Sequence, residues 1–280
     1  MIQSRLAPAT KDRRDWVYTA PTSALPPTLG RAAKYLKDQG TTNECGGHAV
    51  ASAIGWQTNK DMSADWQYAQ IEEIIGKVNT KGVDPRSAMK SGLIYGALPQ
   101  ELAPFTWQQK GEAYISDWRN WPATLKEIAK QNVRAGYFKV TGDRDPYDNI
   151  KQVLYNEFPN NTVVNAFSRW YTEFNTPQNG IIPYPINFYA YHAYIFIDWK
   201  TINGTEYLVA QLSSGPTFGD KGLLYFSREI VNRLFHDPDA SLYIYKVPNP
   251  QDIQSLMLQK LTLLELLVEL YRKLLLRITT

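Results

Sequence analysis

The sequence predicts an α+β protein whose helices come first and whose strands come second, in two segregated lobes. Three observations carry this. Up to about residue 135 the chain reads as helices and loops, with apolar residues at helical spacing in Trp66, Ala69, Ile71, Ile74 and Ile75. From Gly136 onward short β-branched and aromatic runs dominate, the strongest being Tyr191-His192-Ala193-Tyr194-Ile195-Phe196-Ile197-Asp198-Trp199. Aromatic residues are abundant (18 Tyr, 8 Trp and 10 Phe), which suits a core with β-structure or a cleft lined with flat side chains.

Taken in order, residues 1–30 are dense in proline and end in Leu25-Pro26-Pro27-Thr28-Leu29, which favours an extended arm. A polar, Gly-flanked loop then opens a helix over about 45–57. Met62-Ser63-Ala64-Asp65 looks like the next helix start, and Asp84 caps a third helix through Ser91, punctuated by Gly92 and Gly96. Leu98-Pro99-Gln100-Glu101 begins a further segment, which brings the helical lobe to about 31–135. Beyond it, Tyr137–Val140 is a strand and Asp148–Tyr155 a helix. Strands follow at Thr162–Phe167, Tyr191–Trp199, Glu206–Gln211 after the Asn203-Gly204 turn, Leu223–Phe226 and Ser241–Tyr245. This β lobe covers about 136–248. Pro248-Asn249-Pro250 closes it, and residues 249–280, crowded with leucines and interrupted by charges, predict a C-terminal amphipathic helix. Packing on its own domain and self-association or partner docking through that wide apolar face both fit; a membrane surface ranks third because the polar face is mixed in charge.

The chain of 280 residues carries a net charge of +3 with its basic residues scattered, so no nucleic-acid partner is expected. No uninterrupted apolar run is long enough to span a membrane. One cysteine excludes an intramolecular disulfide, and the N-terminus lacks the apolar core of a secretory signal. A cytoplasmic, reducing compartment is the simplest expectation, although a virion or a non-classical export route leaves the same trace. There is no Gly-rich phosphate loop and no His/Cys/Asp cluster at metal spacing, so no cofactor and no metal is expected.

The stretch that organises the chain is Asp38-Gln39-Gly40-Thr41-Thr42-Asn43-Glu44-Cys45-Gly46-Gly47-His48. A thiol at a helix start sits among unpaired backbone N–H groups and the positive end of the helix dipole, both of which favour thiolate. Gln39 could aim its amide NH2 at an oxyanion formed beside the Cys45 N–H. The other reading of a lone cysteine is a small buried hydrophobe. A nucleophile needs a base, and there are three histidines. His48 shares a helix with Cys45 and reads as a core residue. His236 lies in a polar surface turn. His192, in the middle of the most hydrophobic strand, is either a satisfied core histidine or the partner of Cys45.

With these residues in view, the chain resembles the papain family of cysteine peptidases in its bacterial or phage-like form. Gln39-Gly40 and Cys45 match the Gln-Gly-x(4)-Cys loop, Tyr191-His192-Ala193 matches the Gly/Asn-His-Ala strand, and Gly215–Gly222 matches the tail of the Asn-Ser-Trp-Gly motif. Leu25-Pro26, Gly82-Val83-Asp84 and Ile150–Leu154 are weaker echoes, so the resemblance spans about 25–248. It implies a papain-like two-lobe fold, a helical lobe and a β-barrel-like lobe meeting at a cleft, with Cys45 on one wall and His192 on the other. Gly46, Gly82, Val83 and Tyr191 would belong to the substrate cleft. The implied activity is that of a cysteine endopeptidase or related amidase on a peptide or protein substrate, with Cys45, His192 and Gln39 as catalytic residues.

Three departures stand out. The family's disulfide partner three residues before the nucleophile is Thr42, and no long inhibitory pro-segment is expected ahead of the catalytic part. Most serious, the family's orienting Asn aligns with Leu212 and its shielding Trp with Ser214. Leucine cannot accept the imidazole N–H. Gln211 could substitute only if a bulge turned it to the same face. The alternative function is therefore a catalytically impaired papain-fold binding or structural module, and a transglutaminase-like acyl transferase is third. Glu44, directly before Cys45, reads as a solvent-facing charge at the helix start, the other reading being a carboxylate that raises the thiol pKa.

Overall fold

Small residues dominate the first long helix, and the fold is packed around it. The computed structural model describes residues 16–80 and 82–247. In it, α1 (Cys45–Thr58) is buried at every residue from Cys45 to Trp56. A Cβ on Gly47 would stand 2.8 Å from the Ala64 carbonyl oxygen and 2.9 Å from Tyr68 Cβ, so α2 (Ala64–Ile75) approaches this closely only because glycine is there. The Ser63 hydroxyl caps α2 by accepting from the Trp66 N–H, as its sequence context predicts.

In α3 (Pro85–Ile94), Asp84 accepts from the Ser87 N–H and Pro85 takes the first turn. The expected stop at Gly92 is corrected: the helix runs through it. Gly92 serves packing, because a Cβ there would lie 2.7 Å from Tyr245 Oη, and it is Gly96, with φ +72°, that turns the chain. Three short helices, α4 (Trp107–Lys110), α5 (Glu112–Ile115) and α6 (Thr124–Ala129), complete the helical lobe.

Seven strands form one sheet: β1 (Val17–Tyr18), β2 (Gly136–Val140), β3 (Val164–Tyr171), β4 (Phe188–Ile202), β5 (Thr205–Gln211), β6 (Leu223–Ser227) and β7 (Ser241–Lys246). Their order is β1-β2-β7-β3-β4-β5-β6, antiparallel throughout except for the β1–β2 pair. Asn203 and Gly204, both at positive φ, make the β4–β5 hairpin turn that the sequence predicts. Helix α7 (Pro146–Asn156) starts two residues before its expected position, because Asp145 caps it by accepting from the Asp148 N–H. An unexpected helix, α8 (Arg228–Phe235), follows β6; at eight residues it shows too few turns for periodicity to reveal it. The mixed helices and sheet make this an α+β protein.

Strand β4 explains its own composition. Ala193, Ile195 and Ile197 pack into the core that holds α1, whereas Tyr194, Phe196 and Trp199 pack into a second core with α7, α8 and β6. With both faces covered, period-2 alternation of apolar and polar residues disappears and a continuous apolar run remains.

The described part of the arm, residues 16–30, contains no helix and is tied to the β lobe. Buried Asp198 accepts from the Leu29 N–H (2.8 Å), the Arg31 N–H (2.8 Å), the Thr28 hydroxyl (3.1 Å) and its neighbour's N–H at Trp199 (2.7 Å). It sits at the one register shift between β4 and β5. Among the described residues no helix is long and apolar enough to cross a membrane. The predicted C-terminal helix, residues 249–280, and residues 1–15 lie outside the described residues. We expect Asp198→Ala, which strands two backbone donors of the arm, to lower stability by about 2–4 kcal/mol, and Asp198→Asn to lower it less. Urea denaturation midpoints check this; an unchanged midpoint for Asp198→Ala would refute the anchoring role.

Candidate active site

The loop before α1 is held from both lobes. From the β-lobe side, the Gln39 N–H donates to the Ser213 carbonyl (2.8 Å), the Gly215 N–H to the Lys37 carbonyl (2.9 Å), and the Ser213 hydroxyl to Gln39 Oε1 (2.5 Å). From the helical lobe, Glu112 of α5 accepts from both the N–H and the side-chain amide of Asn43. Gly40, at φ +54°, lies under the Trp107 ring, 2.5 Å from where a Cβ would stand, so both its conformation and its neighbour demand glycine. Gln39 Nε2 donates to the Thr42 carbonyl (2.8 Å). With Oε1 taken by Ser213, the amide orientation is fixed.

Cys45 is the first residue of α1 and is wholly buried. No side chain caps this helix start. The backbone N–H groups of Ala193, Gly46 and Cys45 itself stabilise a thiolate there. Burial outweighs them, and the nearby Glu44 carboxylate adds to it, so the thiol is pushed up to about 12.

The Ala193 N–H that faces the thiol belongs to the residue after His192. His192 itself is fully buried, and its ring meets the Trp170 ring edge-on at 4.7 Å between centroids. Among the described residues neither ring nitrogen has a hydrogen-bond partner. Desolvation alone therefore acts on the imidazole and lowers its pKa to about 3. Leu212 is buried in the second core with Tyr194 and Trp170, and its side chain carries no acceptor.

The suggestion that Gln211 orients His192 is corrected. β5 has no bulge there: Gln211 pairs with Ile195, and its side chain lies on the helix side of the sheet. Its amide donates to the Lys34 carbonyl (2.6 Å), while its oxygen accepts from the Lys34 N–H (3.1 Å) and the Trp56 indole (3.4 Å). Strand alternation gives Gln211 and Ser213 to one face and Leu212 to the other.

Glu44 is a second correction. It has no exposed surface, because α1 and α2 meet where the sequence reading put solvent. Burial, with Asp65 and Glu112 nearby, holds its carboxyl well above the usual carboxylate range. His48 is buried as expected, and His236 is exposed in its turn. Of the residues assigned to the cleft, Gly46 follows Cys45 in α1 and is buried. Val83 is buried in the helical core and so has no surface to offer a substrate, while Gly82 beside it is half-buried. Tyr191 directs its hydroxyl to Asp239 Oδ2 (3.0 Å). Sequence reasoning missed Ser213, Glu112 and Asp65; each acts across a gap of tens to hundreds of residues that leaves no local signal.

Against known proteins, no family model matches the chain and no curated protein matches its sequence. Solved structures do. Xylellain, a cysteine protease from Xylella fastidiosa, aligns with a TM-score of 0.74 at 20% identity, over 88% of this chain and 97% of that one. Procathepsin B S9 from Trypanosoma congolense gives a TM-score of 0.59 at 15% identity (88% and 87% covered). Bromelain from Ananas comosus, in complex with the E64 inhibitor, gives 0.55 at 14% (80% and 100%). The fold is that of the papain-like cysteine proteases. The expected two-lobe architecture thus holds at low identity. Within this papain-like fold, α1 carries Cys45 against the β4 backbone beside His192, and Gln39 precedes it on a braced loop.

Burial of His192 has a consequence for stability. Its ring titrates at about 3 when folded, against an ordinary value of 6.5. Between those values the unfolded chain takes up a proton that the folded chain refuses. The stability contribution is therefore intact above about pH 6.5 and is lost as pH falls towards 3, by up to about 1.4 kcal/mol per pH unit. We expect His192→Phe to remove that share of the acid sensitivity. Urea unfolding at pH 7, 5.5 and 4 measures it, and equal pH slopes for both proteins would show the ring is not buried neutral.

Proposed function

We propose that this protein is a cysteine peptidase that hydrolyses peptide bonds, as an endopeptidase, through a thioester on Cys45. The observation that carries the reading is the meeting of the Cys45 thiol with the β4 backbone at Ala193, one residue past the only buried histidine of the β lobe. Its papain-like fold and the cysteine proteases among its structural neighbours support it.

In this reading Cys45 Sγ attacks the scissile carbonyl carbon as His192 takes the thiol proton. The carbonyl oxygen becomes an oxyanion beside the Cys45 N–H and the Gln39 amide, whose orientation Ser213 fixes. His192 then gives the proton to the leaving amine, and a water, deprotonated by the same ring, cleaves the thioester. The resting pair is neutral thiol and neutral imidazole, since burial opposes both charged forms. A substrate must also part the walls around a thiol that has no exposed surface.

Cys45→Ala should abolish peptidase activity and leave the fold intact. Gln39→Ala should lower turnover by about 10²-fold with little change in KM, the loss typical of one oxyanion donor. Hydrolysis of a fluorogenic peptide library by purified variants tests both. Full activity in Cys45→Ala would end the nucleophile assignment.

A specific observation also favours a second reading, a binding or structural module on the same fold: His192 has no hydrogen-bond partner and Leu212 occupies the neighbouring core. Leu212→Asn separates the two. In an enzyme weakened only by the missing acceptor, it should raise Cys45 alkylation by iodoacetamide at pH 5–6 by about tenfold or more, one pKa unit of imidazole stabilisation being a factor of ten. An unchanged pH–rate profile would favour the module.

A further inference from the structure

One group of ionisable side chains has no part in the proposed reaction. Glu44, the N-cap residue of α1, stands four residues before His48 in that helix, and Asp65 comes from the first turn of α2 where the two helices meet at Gly47. One ligating atom from each, a carboxylate oxygen from Glu44 and from Asp65 and a ring nitrogen from His48, lie within 4.8 Å of one another. All three residues are at least nine-tenths buried.

The cluster is only partly satisfied as it stands. Both His48 ring nitrogens are buried without a hydrogen-bond partner, while Glu44 has the Asp65 carboxyl and the Thr42 side chain for neighbours. His48 Nε2 and Glu44 Oε2 are 3.9 Å apart, too far for a hydrogen bond and suitable for two donors converging on one ion. Glu112 adds a further carboxylate nearby. The nearest cation, Lys37, is engaged by Asp61 at 2.5 Å. Two adjacent carboxyl groups and an unpartnered imidazole, brought together in a buried site, have the composition of a divalent-ion centre: hard oxygens with one nitrogen.

We propose that Glu44, His48 and Asp65 bind one zinc-class divalent cation at the junction of α1 and α2, directly behind the Cys45 loop. Zinc takes imidazole nitrogen and carboxylate oxygen at about 2.0–2.2 Å, so its donors in a tetrahedral site lie about 3.3–3.6 Å apart. The observed spread needs a contraction of about 1.5 Å or less, within the reach of the Glu44 and His48 side-chain torsions. The Trp107 N–H donates to Asp65 Oδ2 (3.0 Å) and orients that carboxylate, the outer support that metal ligands commonly have. Motif spacing did not reveal the site, because only Glu44 and His48 are close in sequence and the third ligand comes from α2. The inference is independent of the peptidase reading.

The test uses the full chain carrying Cys45→Ala, so that a zinc ion held by the thiol and His192 is not mistaken for this one. Chelator-treated protein is titrated with ZnCl2 by calorimetry and followed by thermal melting. We expect one equivalent bound with micromolar or tighter affinity, and a melting temperature raised by about 5 °C or more at a hundredfold excess over Kd. Adding His48→Ala or Asp65→Asn should remove both effects. Should those variants not fold, Co2+ bound to the Cys45→Ala protein decides alone: visible d–d bands stronger than those of the aqua ion support the site. The aqua-ion spectrum, no saturable zinc binding, or binding that survives both ligand substitutions would overturn it.

Discussion

The structure depends on how closely α1 can be packed. A helix buried along twelve consecutive residues needs neighbours on every side, and those neighbours come close only because its surface is built from Gly46, Gly47, Ala49, Ala51, Ser52, Ala53 and Gly55. α2 closes one side and β4 another, each adding its own apolar face to the same core. From that packing follows the chemistry of the buried groups. Cys45 lies at the end of α1 with its thiol against a strand backbone, and β4, covered on its other face by α7, α8 and β6, keeps His192 among aromatic rings. The same close packing that gives the helix its place removes water from both groups. It also drives Glu44, His48 and Asp65 together and leaves both His48 nitrogens without a partner.

A second constraint is the two-residue period at the end of β5. Gln211 and Ser213 point to the helix side, where Gln211 grips the Lys34 backbone and the Trp56 indole, and Ser213 grips Gln39. Leu212 points to the opposite side and fills the second core beside Tyr194. One short segment thus braces the loop ahead of Cys45 and fills the second core. A single-residue slip would exchange the two roles, burying one amide and one hydroxyl among aromatics, so the register is strongly held.

Much of this was legible in the sequence. Pattern and capping residues placed α1, α2, α3 and α7 and nearly every strand, because Ser63, Asp84 and Asn203-Gly204 act locally. The Cys45 loop and the His192 strand were legible as motifs, and the papain-like fold as a resemblance. What was not legible acts at long range. Glu44 reads as a solvent-facing first-turn acid until α2 covers it. Gln211 reads as a candidate acceptor until the β4–β5 register fixes its face. Gly92 reads as a helix stop until Tyr245, from the far end of the chain, takes the space above it. Each is a tertiary contact overriding a local preference.

On the proposed reading, these constraints decide what kind of catalyst the site can be. A preformed thiolate–imidazolium pair needs an environment that stabilises both charges, and here burial opposes each: the thiol is pushed up to about 12 and the imidazole down to about 3. Both shifts favour the neutral forms, so burial disfavours charge separation in the resting site. Proton transfer then has to accompany attack on the carbonyl, and the developing charge falls on the oxyanion, which in this scheme the Cys45 N–H and the Gln39 amide receive. That shifts catalytic weight from the base to the braced loop. Ser213, which never touches a substrate in this scheme, becomes a positioning residue for the step that matters most, and the bonds that tie the loop to both lobes acquire a reason beyond stability. A site with a weak base can still be an acyl-transfer site, provided its electrostatic complement to the oxyanion is rigid.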